Sequence, residues 1–132
     1  MIVEDIGSYL QTNGLGTLSV DLFLHVAPDK PDESMSVVEY SSDPPDYIHD
    51  KQKVEVEYPR VQISCRSIHP EVGRLLAEKV YQLLMAIHNE VIGTTRYLWV
   101  MPVDSPAMVG RDENGRFITT VNFRVSKELS SV

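Results

Sequence analysis

The spacing of apolar residues near the start of the chain predicts a helix followed by a strand. Apolar side chains recur at helical spacing at Ile2, Val3, Ile6, Tyr9 and Leu10. Asn13-Gly14 then supplies residues that tolerate the left-handed conformation closing a helix. From Leu18 to Val26, apolar and polar residues alternate with period two, which predicts a half-buried strand.

The next segment, Ala27 to Gln52, has a different composition. It holds four of the eight prolines of the chain, surrounded by aspartate and serine residues. Proline removes a backbone donor and fixes φ, so most of this segment is expected to be loop, with one strand at Met35 to Tyr40. We expect the acidic region at about 27–58 to project from the core.

Beyond this region, the apolar positions change parity at Tyr58-Pro59. Even-numbered apolar residues, Val54, Val56 and Tyr58, give way to the odd-numbered Val61, Ile63 and Cys65. Successive side chains of a strand point to opposite faces of its sheet. A bend or bulge at Tyr58-Pro59 is therefore required if both halves face one core.

A long helix is predicted to begin at Pro70, a residue that suits the first helical position, with Glu71 at the positive helix start. The apolar stripe of period 3.6 consists of Val72, Leu75, Leu76, Val80, Leu83, Leu84, Ile87 and Val91. Gly93 is expected to close this helix of roughly 20 residues, which would be the main packing element.

Two further apolar runs predict the last strands. Tyr97 to Met101 is apolar without alternation, which predicts a strand covered on both faces, and Phe117 to Val125 alternates as its partner. The order of elements predicts an α+β fold: a mixed, mainly antiparallel β-sheet packed against one long and one short α-helix, with long projecting loops. We expect one domain over residues 1–132.

Composition narrows the classes of function. The chain has 132 residues, a net charge of −7 and one cysteine, Cys65, which cannot form an intramolecular disulfide and suits the reducing cytoplasm. A soluble protein is expected, because neither a membrane-spanning run nor a signal peptide is recognisable. The negative charge opposes binding to phosphate backbones. Pro28 to Arg60 holds nine acidic and four basic residues, a net −5 of the −7.

Candidate catalytic residues are few. Cys65 shares a predicted strand face with Val61 and is expected to be core packing rather than a nucleophile. The four histidines lack the close spacing of metal sites, and Asp112 to Gly115 lacks the ligand pattern of a calcium loop. We expect no catalytic, cofactor or metal site. A small hydrolase or metal-dependent enzyme using Cys65, His69 or the Asp112-Glu113 pair is the alternative from another class of function.

The 13-residue connection Asp104 to Arg116 is long, and loops of that length are usually functional or disordered. A turn before a strand explains Asn114-Gly115. It does not explain the apolar Ala107 to Gly110 or the paired Arg111 and Arg116. Methionine and arginine are enriched at protein interfaces, so this loop is expected to be a contact surface. The acidic segment is either a solvated face or an arm that orders on assembly.

The order and spacing of several segments carry a resemblance to a known family. These segments are Gly14 to Phe23, Ala27 to Asp32, Val61 to Arg66, Ser105-Pro106, Gly110 to Arg116 and Val121 to Val125. Together they resemble the small tail terminator proteins of long-tailed bacteriophages, often labelled minor capsid proteins. The resemblance covers nearly the whole chain, and the block formed by the last three of these segments is the most specific.

The resemblance implies a mixed α/β domain with a sheet packed against helices. Such proteins form rings, usually hexameric, that cap the finished tail tube, stop its polymerisation and present the surface that joins the head; they are not enzymes. The implied partners are further copies of the chain, the tail tube protein and a head-completion protein, with DNA only as passing cargo. The implied location is the head-proximal end of the virion tail, after assembly in the host cytoplasm. Another head-tail joining protein of the neck is the close alternative.

A closed ring of identical subunits needs two different complementary edges on each copy, and projecting loops on opposite sides of a rigid sheet would provide them. The candidate interface residues are Met108, Arg111, Asp112, Glu113, Arg116, Asp43, Asp46 and Asp50. Carboxylates between Asp43 and Glu57 are expected to line the bore or an axial face, where an acidic wall would let DNA slide without sticking.

Overall fold

The structure, a computed structural model, describes residues 2–46 and 56–128, without the side chains of residues 42–46. The helices in these residues are α1 (Ile2–Thr12) and α2 (Pro70–Met85). The strands are β1 (Leu22–Leu24), β2 (Ser34–Asp46), β3 (Val56–Ser67), β4 (His88–Ile92), β5 (Thr95–Pro102), β6 (Ala107–Arg111) and β7 (Phe117–Glu128). The predicted α+β class is confirmed.

These strands form one sheet in the order β1-β2-β3-β7-β5-β4. β1 runs parallel to β2, and the other pairings within the described ranges are antiparallel. β3 pairs along one side of β7, whereas β6 and β5 pair with successive halves of its other side. β6 is therefore an edge strand beside the start of β7, as the register from Phe117 to Thr120 shows.

Both helices contribute to one core. The odd-numbered residues of β3 from Pro59 to Ser67 are buried. Three of them, Val61, Ile63 and Cys65, share the core cluster with apolar residues of α1, α2 and β7. α1 contacts β1, β2 and β4, which lie at opposite ends of the strand order, so the sheet curls around it. The Tyr97 hydroxyl donates a 2.5 Å hydrogen bond to Asp5 Oδ2 and so fixes α1 to β5. Neither helix has the length and apolar character needed to span a membrane, as far as the described residues extend.

The predicted N-terminal helix is confirmed, but the strand predicted over Leu18 to Val26 is wrong except at its centre. A turn precedes β1, in which the Thr17 carbonyl accepts hydrogen bonds from three successive backbone N–H groups. Ser19 within this turn has φ 66°, and His25 after the strand has φ 74°. These left-handed residues take the chain out of the extended conformation, so the alternation there does not correspond to a paired strand.

The segment predicted to be mostly loop contains the 13-residue strand β2, which pairs with β3 as far as Asp46. After Val37, the outer side of β2 has no strand partner among the described residues. Pro44-Pro45 therefore lies on a sheet edge, next to a register shift that follows Asp43. Proline is tolerated at such positions because its missing N–H breaks no ladder of hydrogen bonds.

The bulge expected at Tyr58-Pro59 is absent from the register of β3, which keeps one alignment with β7 from Val56 to Ser67. The shift lies instead in β2, between Glu39 and Ser41. The two apolar halves of β3 do not face one core. The Tyr58 ring lies on the face opposite to the buried residues, where the Arg124 guanidinium stacks 4.9 Å from its centroid.

α2 begins at Pro70 as predicted, but it ends at Met85, and the extension of the helix toward Gly93 is wrong. The residues after the helix form β4, which pairs antiparallel with β5. Gly93, with φ 65°, lies in the hairpin between these two strands. Its left-handed conformation serves a turn rather than a helix end, and Val91 becomes an exposed residue of an edge strand.

The buried side of α2 is narrower than the predicted stripe. It consists of Gly73, Ala77, Val80 and Leu84. A Cβ atom built on Gly73 would lie 3.6 Å from the carbonyl oxygen of Cys65, so the helix approaches the sheet closely at this point. The small residues take the place next to the sheet, and the larger Val72 and Leu75 of the predicted stripe are left exposed beside it.

β5 and β7 pair as predicted, but the expectation that β5 is covered on both faces is wrong. A register shift between Tyr97 and Trp99 inserts one residue, so Tyr97 and Val100 are both buried, whereas Met101 is exposed. The bulge explains why the apolar residues of this strand do not alternate.

Candidate interaction surface

The connection from Asp104 to Arg116 folds into the edge strand β6 and a tight turn that leads into β7. Asp112 Oδ1 accepts hydrogen bonds from the backbone N–H groups of Asn114 at 3.0 Å and Arg116 at 2.9 Å. Gly115 has φ 74°, as such a turn requires. The predicted Asn114-Gly115 turn is confirmed, and the connection is a hairpin with a defined shape.

Arg116 is the centre of an ion cluster that we call the aspartate clasp, formed with Asp29, Asp32 and Asp112. Its Nη2 is 2.9 Å from Asp29 Oδ1, its Nε is 2.7 Å from Asp112 Oδ2, and its Nη1 is 3.4 Å from Asp32 Oδ1. Nη1 also donates to the Asp29 carbonyl oxygen. A guanidinium group presents five donors in a fixed fork, which suits several oxygen acceptors at once.

Only 4% of Arg116 is exposed. This corrects the expectation that Arg116 and Arg111 project together from the loop. The guanidinium of Arg116 is occupied inside the subunit, because three carboxylates converge on it from two different loops.

The clasp favours the charged forms of its members. Hydrogen bonds from the backbone N–H of Arg116, its guanidinium and the Asn114 N–H lower the pKa of Asp112. A hydrogen bond from Lys30 and the nearby Arg116 charge lower the pKa of Asp32. Burial opposes the charge of Arg116, but its bonds to the Asp112 and Asp29 carboxylates outweigh burial and raise its pKa. The Asp32–Arg116–Asp112 contacts are therefore ionic at neutral pH.

Arg66 on β3 holds the proline-rich loop from its other side. Its Nη2 donates hydrogen bonds of 2.7 Å to the carbonyl oxygens of Pro28 and Pro31. Together with the clasp, these bonds tie residues 28–32 both to β3 and to the turn before β7. Two loops that are far apart in the sequence thus form one fixed end of the sheet.

All five residues of β6 are exposed at this end. A register shift after Met108 makes Val109 an extra residue in the strand. Met108 pairs with Thr119 and Arg111 pairs with Phe117, so the bulge puts Met108 and Arg111 on the same face of the sheet. The Arg111 guanidinium lies 5.0 Å from the Phe117 ring centroid. We call Met108, Val109 and Arg111 the β6 ridge.

An apolar groove lies between α2, the start of β2 and the loop before β1, on the side of the helix away from β6. We call it the α2–β2 groove, and its volume is about 370 Å³. The apolar lining residues are Leu15, Met35, Val72, Leu75 and Leu76, and the charged ones include Asp21, Glu33 and Lys79. Ser34 belongs to the wall, and its buried hydroxyl has no hydrogen-bond partner in the described part of the chain.

A smaller cavity of about 270 Å³ separates α2 from β6. Glu71 and Arg74 of the helix line it, together with Met108 of the β6 ridge. Helix geometry places Arg74 on the flank of α2 that faces β6, whereas Val72 and Leu76, which line the α2–β2 groove, lie on the other flank. Glu71 and Leu75, four residues apart, lie between the two flanks on the outward side of the helix. The groove and the cavity therefore lie on different sides of the helix. The predicted apolar stripe had assigned Val72, Leu75 and Leu76, which line the groove, to the core.

The residues of the hydrolase alternative lie in different surroundings: Cys65 is buried, whereas His69 and Glu113 are exposed. Cys65 is buried, and burial raises the pKa of its thiol to about 12, which suppresses the nucleophilic thiolate. His69 is the residue before α2, and Asp112 is held by Arg116. Within residues 2–46 and 56–128, no three His, Cys, Asp or Glu side chains are grouped so that they could hold a metal ion.

The remaining interface candidates are placed as follows. Glu113 is exposed in the turn after β6, and Asp112 is partly buried in the clasp. Asp43 and Asp46 lie on β2, with side chains outside the description, and Asp50 lies outside the described residues. The contribution of these residues to an interface stays a prediction.

Comparison with known proteins supplies the identity. A family model described as bacteriophage tail terminator protein matches residues 9–129. A chain in a solved structure titled "Virion of native gene transfer agent (GTA) particle" has a similar fold, with a TM-score of 0.55 and 14% identity over 94% of this chain and 84% of that chain. No curated protein gives a significant sequence match. The resemblance inferred from the sequence is thus confirmed: this chain belongs to the bacteriophage tail terminator protein family, and it is a structural protein of the phage tail.

Proposed function

We propose that this protein, as one domain over residues 1–132, assembles into a closed hexameric ring at the head-proximal end of the tail tube. The ring stops polymerisation of the tube protein and offers a docking surface to a head-completion protein. Assembly takes place in the host cytoplasm, and no covalent chemistry is involved. Family membership supports this role, and the structure adds a physical reason for ring formation.

The observation that carries the proposal is the separation of exposed apolar side chains into two different surfaces. Met108 and Val109 lie on the β6 ridge, and Val72 and Leu75 lie at the α2–β2 groove on the other side of the helix. Identical subunits close into a ring only through a heterologous contact, in which each copy uses two different patches. A single apolar patch would instead favour a two-fold dimer.

The aspartate clasp supports the same role through rigidity. A cap on a growing tube has to present the same shape to each neighbouring subunit, because ordering a mobile loop at an interface costs affinity. Arg116 and Arg66 fix residues 28–32 and the turn before β7 in the free subunit. The end of the sheet next to the β6 ridge is therefore preorganised for contact.

The acidic balance suits a ring through which DNA passes. A wall that repels phosphate lets a polyanion move through a bore without binding to it. The net charge is −7, and most of it falls between Pro28 and Arg60. In this proposal Asp43, Asp46 and Asp50 face the bore or an axial surface of the ring.

Ring formation is tested by native mass spectrometry across a concentration series. The wild type is expected to populate one closed species, with six copies, at high concentration. Leu75→Glu should prevent this assembly, because it places a carboxylate in the α2–β2 groove. Val91→Glu on β4 is the matched control, since Val91 and Leu75 are 54% and 57% exposed and only Leu75 lines the groove. A monomer at every concentration, alone and with tube protein, contradicts the proposal.

Tube termination is tested by adding the protein to polymerising tube subunits and measuring tube lengths by electron microscopy. We expect tubes to shorten as the ratio of this protein to tube subunit rises, and Leu75→Glu to have no such effect. Length distributions that do not change with the wild type would refute termination. Binding to the portal-side complex of tail-less heads, without binding to tubes, would favour the alternative of another neck protein.

A further inference from the structure

We propose that the β6 ridge of one copy docks into the α2–β2 groove of the next copy, so that these two surfaces form the repeated contact of the ring. This inference rests on the proposed ring and names the residues that close it. The occupant of the groove is a second copy of this chain, and the central contact joins Met108 to Leu75.

The groove has room for apolar side chains and lacks an occupant of its own among the described residues. Its volume of about 370 Å³ lies at the lower end of the range that takes a ligand or a small group of side chains. Leu75, exposed by 57%, and Val72, exposed by 45%, offer apolar surface at its mouth. Exposed apolar side chains that border a concave surface are typical of an interaction site.

The β6 ridge has the dimensions and the shape of a complementary projection. Thr119 and Phe117, the partners of Met108 and Arg111, are two residues apart on β7, so the ridge residues lie about 7 Å apart along the strand. α2 spans about 10 Å from Val72 to Lys79, the helical wall of the groove. Met108 is 57% exposed, so its side chain is accessible to a neighbouring copy without rearrangement of β6.

Charges favour this pairing and fix its direction. Arg111 is exposed on the same face of the sheet as Met108, a placement that the Val109 bulge produces. Asp21 and Glu33 are exposed and line the groove on the side of β2 and the loop before β1. Two basic residues also line it: Lys79 belongs to the helical wall, and Arg66 is already bonded to the carbonyl oxygens of Pro28 and Pro31. With Met108 in the groove, Arg111 meets these carboxylates, and opposite charges at the rim of an interface set its register and speed association.

The two surfaces also satisfy the geometry of closure. They flank α2 on opposite sides, so a copy that places its β6 ridge in one neighbour still offers its groove to another. If the rotation from one copy to the next divides a full turn evenly, the same contact repeats around a closed ring and no patch is left unused. A contact between two ridges or between two grooves would end at a dimer instead.

Cysteine cross-linking tests the contact directly, because Cys65 is buried and does not interfere. The double variant Met108→Cys/Leu75→Cys is incubated under ring-forming conditions with copper phenanthroline in air, which oxidises two neighbouring thiols to a disulfide. On a denaturing gel, we expect a ladder of covalent oligomers that stops at the size of the closed ring. Each chain carries one cysteine in an equimolar mixture of Met108→Cys and Leu75→Cys, so the mixture should give covalent dimers only.

Each single variant alone should remain monomeric on the gel, because a heterologous contact does not bring two copies of the same position together. The pair Val91→Cys/Leu75→Cys, which replaces an equally exposed residue on β4, should give no ladder. Cross-linking by the control pair but not by Met108→Cys/Leu75→Cys would overturn the inference. So would a disulfide from Leu75→Cys to a cysteine-substituted tube protein in place of a second copy.

Charge exchange tests the register. Arg111→Glu and Glu33→Lys should each weaken self-association by about tenfold or more, and the double variant should recover most of the loss. Glu39→Lys, the same charge change at an exposed position of β2 that lines neither the groove nor the cavity beside β6, should leave self-association unchanged. Absence of recovery in the double variant would overturn the Arg111–Glu33 contact. If the wild type forms rings but the Met108→Cys/Leu75→Cys variant gives no cross-link, this inference is refuted and the proposed function stands. If the chain neither self-associates nor shortens tubes, both are refuted.

Discussion

Substitution of Gly73 tests whether α2 packs closely against the sheet at this residue. Because the helix uses its small residues for this packing, Val72 and Leu75 of the groove stay outside the core. In Gly73→Ala, the new Cβ would lie 3.6 Å from the Cys65 carbonyl oxygen and the Ser67 Cβ, and 3.7 Å from Thr119 Oγ1. These are ordinary van der Waals distances, so alanine fits. Alanine is favoured over glycine inside a helix by about 0.5 to 1 kcal/mol, and the variant should be more stable by about that amount.

Gly73→Leu adds three further carbon atoms where backbone and side chains are already in contact with the Cβ. Overpacking of this kind costs about 1 to 3 kcal/mol, so leucine should be destabilising although it is a strong helix former. The two variants therefore have opposite signs at one position. For a domain of this size, 1 kcal/mol corresponds to a change in Tm of roughly 3 to 5 °C.

The assay is thermal unfolding followed by circular dichroism, supported by urea denaturation to obtain the free energy of unfolding. We expect Tm to follow the order Gly73→Ala, wild type, Gly73→Leu. A Gly73→Leu protein as stable as Gly73→Ala would show that α2 does not lie against the sheet through its small residues. The position of the α2–β2 groove, which depends on the packing of α2, would then be wrong as well.

Further predictions concern the helix face, the clasp and the cysteine. Leu84→Ala should cost about 2 to 5 kcal/mol of stability in urea unfolding, whereas Leu75→Ala on the same helix should change it by less than about 0.5 kcal/mol; equal losses would contradict the orientation of α2. The pKa of Asp112 is lower in the folded protein than in the unfolded chain, where it is near 3.8, so the ionised carboxylate stabilises the fold. This stability is fully present above the unfolded pKa and is lost as the pH falls through the pKa of the folded protein. Asp112→Asn should therefore lower Tm at pH 7 and reduce the further fall of Tm as the pH drops through and below the pKa of an unfolded aspartate. An acid transition identical to that of the wild type would argue against the clasp. Cys65 should resist iodoacetamide in the native protein at pH 8 and react fully in urea, and rapid labelling of the native protein would show that the thiol is accessible.

The sequence determined those features that depend on near neighbours in the chain. The first helix ends at Asn13-Gly14 as its apolar spacing and left-handed residues predict, and Pro70 begins the second helix. The alternation in β3 and β7 correctly placed Cys65 in the core. The dipeptide Asn114-Gly115 correctly predicted a turn, because these two residues favour turn conformations of the backbone. In each case the signal is a backbone preference or a periodicity of two or 3.6 residues, which needs no knowledge of distant contacts.

Tertiary structure decided what depends on residues brought together from distant parts of the chain. Arg116 looked like an interface residue because its partner Asp29 is 87 positions away, and only folding shows that its charge is already satisfied. The apolar stripe of α2 gave no means to distinguish Leu84 from Leu75, since both suit a helix face and only the sheet selects the side that is buried. The Val109 bulge, which aligns Met108 with Arg111, exists through the pairing of β6 with β7. Local patterns thus specify which elements form, whereas the interaction surfaces result from how those elements pack, because burial and charge pairing are properties of the assembled fold.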